Sequence, residues 1–312
     1  MKIMDLQVLR WFQAVAGGAT VTGAAATAHV TQPALSRALA RLEREVGTPL
    51  FTRNGRTLRL TPAGRLFADH LDQALESYDR GLRAVVELVD PDCGVVPLAF
   101  LHTLGTWLVP PLVSTFRAEH PRMRFELRQH GEATILRELL DGSVDFILTS
   151  GDPGHAQVSW QRLLIEPLWL AVPADHRLGQ RKRVRLAEVA DEPFIALREG
   201  YGLRTLTEQL CHQAGFAPRV TFEGEEIDTL RALVAAGLGV ALLPPPYLEP
   251  STSDIHPAPA THLRVTDVEC ARDLGLAWLA ERPLPAASTA FRAHVLRSAP
   301  AITPPAYRSG RR

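Results

Sequence analysis

Residues 24–64 read AAATAHVTQPALSRALARLEREVGTPLFTRNGRTLRLTPAG, and this stretch decides the N-terminal fold. Small residues, Ala24 and Ala25 among them, end a helix that can pack closely on a neighbour. Val30-Thr31 marks a tight turn. A second helix is expected over Gln32–Glu45, with Pro33 in its first turn, where a missing N–H costs nothing, and Gly47 as its C-cap. Leu35, Leu39, Leu42 and Val46 recur at helical spacing and face a core. That leaves Gln32, Pro33, Ser36, Arg37 and Arg41 facing out. Leu50-Phe51 and Leu58–Leu60 read as a hairpin with Arg53, Asn54, Gly55 and Arg56 at its tip, Asn-Gly being a strong turn signal. The order helix, turn, helix, hairpin is a winged helix-turn-helix, whose second helix fits the DNA major groove.

Working outward, Asp5 caps an earlier helix carrying Leu6, Leu9, Phe12 and Ala16, and Gly17-Gly18 ends it. Thr20 caps the helix that contains Ala24. On the other side, Pro62 opens a helix running to about Val89. Leu71, Leu75, Tyr78, Leu82, Val85 and Val89 are spaced 4, 3, 4, 3, 4 along it. A 3.5-residue period held this long favours pairing between two copies of the helix, although one amphipathic helix on its own domain shows the same stripe.

Net charge over 312 residues is zero, but its distribution is uneven. Residues 1–65 carry Lys2 and eight arginines against Asp5, Glu43 and Glu45, or +6. Residues 66–90 carry Arg80 and Arg83 against six acids, or −4. A basic head on a mildly acidic trunk is the charge pattern of a DNA-binding module joined to a ligand-binding one. Lys2 and Lys182 are the only lysines. A GC-rich genome, which the abundant Ala and Pro also suggest, accounts for that better than phosphate binding does.

Pro91-Asp92-Cys93-Gly94 reads as a hinge. Beyond it strands and helices alternate: Val95–Phe100, a helix from about Leu104 to Glu119, Phe125–Gln129, a helix over Ala133–Leu140, and Val144–Thr149. A second round follows, with strands at Leu168–Val172, Phe194–Leu197, Val220–Glu223 and Val240–Leu243 and helices at Leu203–Ala214 and Ile227–Ala236. Leu263–Val268 and Leu274–Leu279 read as strands and Ala287–Leu296 as a last helix. The expected fold class is therefore an N-terminal winged helix-turn-helix, mainly α, a long linker helix, and an α/β domain of two lobes with parallel sheets. The expected boundaries are 1–61 for the head, 62–90 for the linker and 91–297 for the lobes. Lobe I takes about 91–163 and 267–297, lobe II about 164–266, and 298–312 forms a flexible tail. Crossings between lobes are expected near Trp160–Pro167 and Thr266–Cys270.

Ligand sites in open α/β sheets lie at the carboxyl ends of strands. Those ends are Leu101, His102 and Thr103; Gln129 and His130; Thr149 and Ser150; and, in the second lobe, Arg198, Tyr201, Arg204 and Glu223. If Thr103 opens a helix, an anion there meets free N–H groups, so a small anionic ligand is expected. The 11 histidines show no H-E-x-x-H spacing, no G-x-S-x-G occurs, and Gly200-Tyr201-Gly202 is not a phosphate loop. No metal, cofactor or catalytic residue is expected. Cys93, Cys211 and Cys270 form no C-x-x-C. That fits a reducing cytoplasm better than a disulfide framework. The N-terminus MKIMDLQVLRWF does not read as a signal peptide, and no run of about 18 apolar residues suggests a membrane span.

TQPALSRALARLEREVG at 31–47, PLFTRNGRTLRLTPAG at 49–64 and VAAGLGVALLP at 234–244 strongly resemble the LysR-type transcriptional regulators. FLHTLG at 100–105 is similar to the branch related to glutamate-synthase regulators. The resemblance implies effector lobes like those of periplasmic binding proteins and a small inducer between them. It also implies linker helices paired into a homodimer or homotetramer. Operators would be imperfect palindromes of the T-N11-A form, and RNA polymerase would be a further partner. Thr31 stands where the family commonly has Ser at the cap. Leu101 stands where it often has Ser or Thr, so the hydroxyl contact to a carboxylate effector is lost or shifted to Thr103. Two alternatives remain at this stage: a thiol redox sensor of the same fold, and a cytoplasmic solute-binding protein or enzyme with an incidental winged head.

Overall fold

The computed structural model describes residues 5–54, 57–90, 93–246 and 260–302. Two compact units form: the chain up to Val85 together with Asp141–Ser143, and Val86–Leu140 together with the chain from Val144.

The first unit contains α1 (Leu6–Ala16), α2 (Val21–Thr27), α3 (Gln32–Val46), β1 (Phe51–Asn54), β2 (Thr57–Leu60) and most of α4 (Pro62–Val89). Its ends are set by short-range chemistry. The Asp5 carboxylate accepts from the Gln7 N–H at 2.9 Å, and the Thr20 hydroxyl accepts from the Gly23 N–H at 3.0 Å. Gly47 closes α3 in the left-handed region, at φ 85°. The reversal between α2 and α3 is made one residue earlier than expected, at His29, whose φ is 54°. Thr31 stands at the N-cap of α3 but makes no side-chain capping bond. β1 and β2 pair antiparallel, Phe51 opposite Leu60. The hairpin is tied to α4 by Thr61, whose hydroxyl donates to the Pro49 carbonyl and accepts from the Gly64 N–H at 2.9 Å. Gly64 is glycine because a Cβ there would run into the Leu50 carbonyl.

Phe12, Leu35, Leu39, Leu42 and Leu50 fill the core of this unit, and Ala68, Leu71 and Leu75 of α4 join them. The expected continuous seam on α4 is thus divided. Leu71 and Leu75 are buried inside the chain's own head, at 6% and 3% exposure, whereas Tyr78, Leu82 and Val85 are open at 47%, 51% and 60%. The reason is geometric. The first four turns of α4 lie against α1 and the hairpin, so the stripe there meets an intrachain core first. The boundary expected at residue 61 therefore falls inside the head's packing. The Val89 side chain lies outside the described residues.

In the second unit, lobe I begins with β3 (Gly94–Leu101), α5 (Val109–Glu119), β4 (Met123–His130), α6 (Glu132–Asp141), β5 (Phe146–Ser150) and β6 (Val158–Pro167). Lobe II holds β7 (Trp169–Val172), β8 (Arg183–Val184), β9 (Pro193–Leu197), α7 (Gly202–Gln213), β10 (Arg219–Gly224), α8 (Ile227–Ala235), β11 (Ala241–Leu243) and β12 (Thr261–Val265). The chain then returns to lobe I with β13 (Ala271–Leu279) and α9 (Ala286–Ser298).

Lobe I's sheet runs β4-β3-β5-β13-β6. β3 is parallel to β4 and β5, but β13 is antiparallel to both β5 and β6. Lobe II's strands run β11-β7-β12-β8, with β9 and β10 a parallel pair joined to them by the Phe194–Val240 bridge. Both lobes are thus mixed rather than parallel, because strands that return from the other lobe enter reversed. Val158–Pro167 is a strand of lobe I and not a crossing: Val158 pairs with Leu279 and Pro167 with Ala271. The first crossing therefore comes at Leu168, whose N–H donates to the Cys270 carbonyl at 2.8 Å. The chain is also ordered past residue 297, since Ala299 is fully buried in lobe I's core. Residues 303–312 of the expected tail lie outside the described residues, as do Pro91 and Asp92 of the expected hinge.

Candidate functional site

Helix α3 has two faces. Leu35, Leu39 and Leu42 are buried, and Gln32, Pro33, Arg37 and Arg41, with Thr31 before them, are exposed. Ser36 is half-buried and accepts from Gln32 Nε2 at 2.9 Å. Arg41 lies 3.8 Å from Glu45, a loose surface pair worth little. The outward row therefore presents an amide, two guanidiniums and a hydroxyl. Side chains of these types can bond base edges, arginine to guanine and glutamine to adenine. The helix is tied to its hairpin by Glu43, whose Oε1 accepts from the backbone N–H groups of Leu50 and Phe51 at 2.8 and 3.0 Å. Arg56 and the Arg53 side chain lie outside the described residues.

Two polar clips fix α4 to α1. Arg10 donates to Asp79, and Gln13 Nε2 donates to Asp72 at 2.8 Å. With Leu71 and Leu75 they make the first half of α4 one body with the winged head.

Between the two lobes, the structure gathers some of the expected strand-end residues and disperses others. Leu101 stands opposite His130 and Phe100 opposite Gln129 on neighbouring strands. Gln129 Nε2 donates to the His102 carbonyl at 3.2 Å. Tyr201 of lobe II lies over Gly131 of lobe I, where a Cβ would sit 3.5 Å from its ring. Thr149 is fully buried at the end of β5, and Ser150 follows it. Thr103 does not open a helix. It lies in a 3-10 turn at His102–Leu104, and α5 begins at Val109 with Pro110 and Pro111, which have no N–H to offer an anion.

Arg204 and Glu223 are corrected outright. Arg204 is 8% exposed, and its guanidinium donates to Glu208, to Glu223 and to the Leu197 carbonyl. It braces α7 against β9 and β10. Arg198 is an exposed partner of Glu225.

The charge that does face the lobe junction was not among the expected residues. Arg272, at the start of β13, is 5% exposed. It stands opposite the fully buried Glu166 and donates to it, while its Nη2 donates to the Thr103 hydroxyl at 2.8 Å. Glu132, at the start of α6, accepts from the Gly202 N–H at the start of α7. Burial holds its carboxyl above the usual range, while the Arg272 charge and the Gly202 hydrogen bond pull it back down. Arg272 had one sequence signal, a lone cation entering the apolar run DLGLAWLA. Glu166 had none once its strand was read as a crossing.

Cys270 packs against lobe II's core, where Cys211 is fully buried. Burial pushes each thiol up to about 12. No helix of the described residues is long and apolar enough to cross a membrane.

Known proteins resemble this chain along most of its length. A family model described as a bacterial regulatory helix-turn-helix protein of the lysR family matches residues 6–65, and one described as a LysR substrate binding domain matches 90–300. The uncharacterized HTH-type transcriptional regulator YybE of Bacillus subtilis (strain 168) is 38% identical over 293 residues, 94% of this chain and 98% of the relative. The transcriptional dual regulator GltC of the same organism is 34% identical, over 77% of this chain and 81% of its own. Among solved structures, CbnR, a LysR family transcriptional regulator, matches with a TM-score of 0.74 at 23% identity, over 95% of this chain and 99% of that one. Winged head, long helix and two effector lobes thus agree in order and extent, and the chain belongs to the LysR family of transcription regulators.

Proposed function

We propose that the protein binds operator DNA as a paired regulator, and that a small anionic effector held between lobes I and II modulates that binding or promoter activation. The observation that carries the reading is the exposed row Gln32, Pro33, Arg37 and Arg41 on a helix whose other face is locked into the head core. Such a helix can enter a major groove without unfolding anything. Arg53 and Arg56 are assigned to phosphate or minor-groove contact, which gives position rather than sequence.

Selectivity needs two heads at a fixed spacing. The open part of the α4 stripe, Tyr78, Leu82 and Val85, is assigned to pairing with a second copy. Arg272 supports an anion as the effector. A cytoplasmic location follows from this role. The thiol redox reading draws no support from Cys211 and Cys270, since a thiol held at about 12 carries almost no thiolate at neutral pH.

The test is a gel-shift titration on DNA upstream of the gene and of its divergent neighbour, at stated salt. We expect a discrete complex on a palindromic site of the T-N11-A form. Arg37→Ala should weaken it by about 1–3 kcal/mol and relax one base position. Equal affinity of parent and variant would remove Arg37 from the interface.

A further inference from the structure

We propose that the Glu132 carboxylate is a resident occupant of a carboxylate seat between the lobes, and that a small carboxylate effector binds there by displacing it. This rests on the reading of the cleft as the effector site and names how that site is filled and regulated.

Three anion-stabilising features converge on the seat. The first is the Gly202 N–H, at the start of the 12-residue helix α7, which donates to Glu132. The second is Arg272, buried at 5% exposure and held in place by Glu166 and Thr103, whose positive charge acts on Glu132. The third is the Thr149 hydroxyl, fully buried and without a hydrogen-bond partner among the described residues. Its place follows from strand alternation. Ile147 packs with Ile135 and Leu139 of α6, so Thr149, two residues on, lies on the same face under the first turn of that helix. Glu132 opens that turn. A buried hydroxyl left unpaired is costly, and a ligand oxygen beside Glu132's position would satisfy it.

The glycine at 202 has a purpose here. A Cβ would overlap Glu132 Oε2, so glycine is what lets a carboxylate reach the N–H. The neighbouring contact, Tyr201 over Gly131, brings the same two segments together. Glu132 belongs to lobe I and Gly202 to lobe II, so the side chain links the lobes across the cleft. An effector carboxylate would take over the link and add contacts that Glu132 cannot make.

The experiment is rescue by a free carboxylate. The melting temperature of the full-length protein is measured with propionate, which carries the Glu132 head group, and with propionamide, at matched ionic strength. Glu132→Ala empties the seat, so we expect propionate to raise its midpoint by a few degrees and propionamide to leave it unchanged. In the parent, where the seat is filled, propionate should do markedly less. Glu132→Gln, which fills the seat without charge, should fall between the two, and it carries the test if the alanine variant does not fold. Equal responses to acid and amide, or no response in either variant, would overturn the proposal. Gel shifts with the same variants keep the two readings apart. If Glu132→Ala still binds operator DNA while propionate fails, the DNA-binding role stands and the carboxylate seat does not.

Discussion

Glu43 shows how much of the head's geometry rests on one side chain. Among the described residues it is the only one of α3 whose side chain accepts from two consecutive backbone N–H groups at the hairpin. Leu50, one of the donors, is fully buried, so its N–H has no water to fall back on. Glu43→Ala should cost about 1–3 kcal/mol, the penalty for stranding buried donors, and it should free the wing from the recognition helix. Thermal melting reads the first effect. A gel shift reads the second as lost affinity in preparations that are still folded at the assay temperature. Glu43→Gln, which keeps an acceptor, should lose less of both. His29 is a second single-residue constraint, since φ 54° is unfavourable for a side chain with a Cβ. His29→Gly relieves it and should leave operator affinity intact. The outward residues of α3 were legible in the sequence because helical spacing alone separates them from Leu35, Leu39 and Leu42. Glu43's role was not, because its partners lie across a turn whose path no periodicity encodes.

At the scale of the element, one stripe on α4 meets two environments. Leu71 and Leu75 belong to the head core, and Tyr78, Leu82 and Val85 are open. Substitutions in the two halves should therefore separate. Leu71→Ala deletes core volume and should lower stability by about 2–5 kcal/mol. Leu82→Glu puts a charge on an exposed position, so the melting of the isolated chain should hardly move. Its self-association should fall, as measured by sedimentation equilibrium. A variant Leu82→Glu that remains fully paired would place the interface elsewhere. The heptad was visible in the sequence, but spacing does not say which partner a stripe meets, and the head claims the first half. β6 was illegible for a related reason. Val158–Pro167 has no clean alternation, and its partner strand begins more than 100 residues later, at Ala271. The Glu166–Arg272 pair, and with it the charge at the lobe junction, depends on that long-range register. Of the strand-end residues that were legible, Thr103 touches Arg272 and Tyr201 lies over Gly131 at the lobe junction, whereas Arg204 is bonded within lobe II.

For the whole molecule, two half-buried groups push the pH dependence of stability in opposite directions. His262 is held neutral, first by burial and then by the Arg231 guanidinium, which lies 2.6 Å from its Nε2. Its pKa falls from 6.5 to about 4. In the unfolded chain it takes up a proton near 6.5, and in the folded chain only near 4, so its contribution is present above 6.5 and is lost as pH falls toward 4. The loss reaches roughly 3 kcal/mol at the low end. Glu132 has the opposite sign. Its folded pKa lies above the model-compound value of 4.5, so the stability it contributes is full below 4.5 and is lost as pH rises through the folded value. Where the two windows overlap, above pH 4.5, the two partly cancel in the parent. Removing one at a time should expose the other. His262→Gln, which keeps an acceptor for Arg231, should flatten the fall in melting temperature on acidification. Glu132→Gln should steepen it, because the compensating gain is gone. Melting curves at half-unit pH steps and constant ionic strength read both slopes. Should the His262→Gln curve run parallel to the parent, the neutral, guanidinium-bound histidine is not what limits stability in acid. Should Glu132→Gln run parallel, the carboxylate between the lobes does not titrate in the folded state, and its seat is more polar than its burial implies.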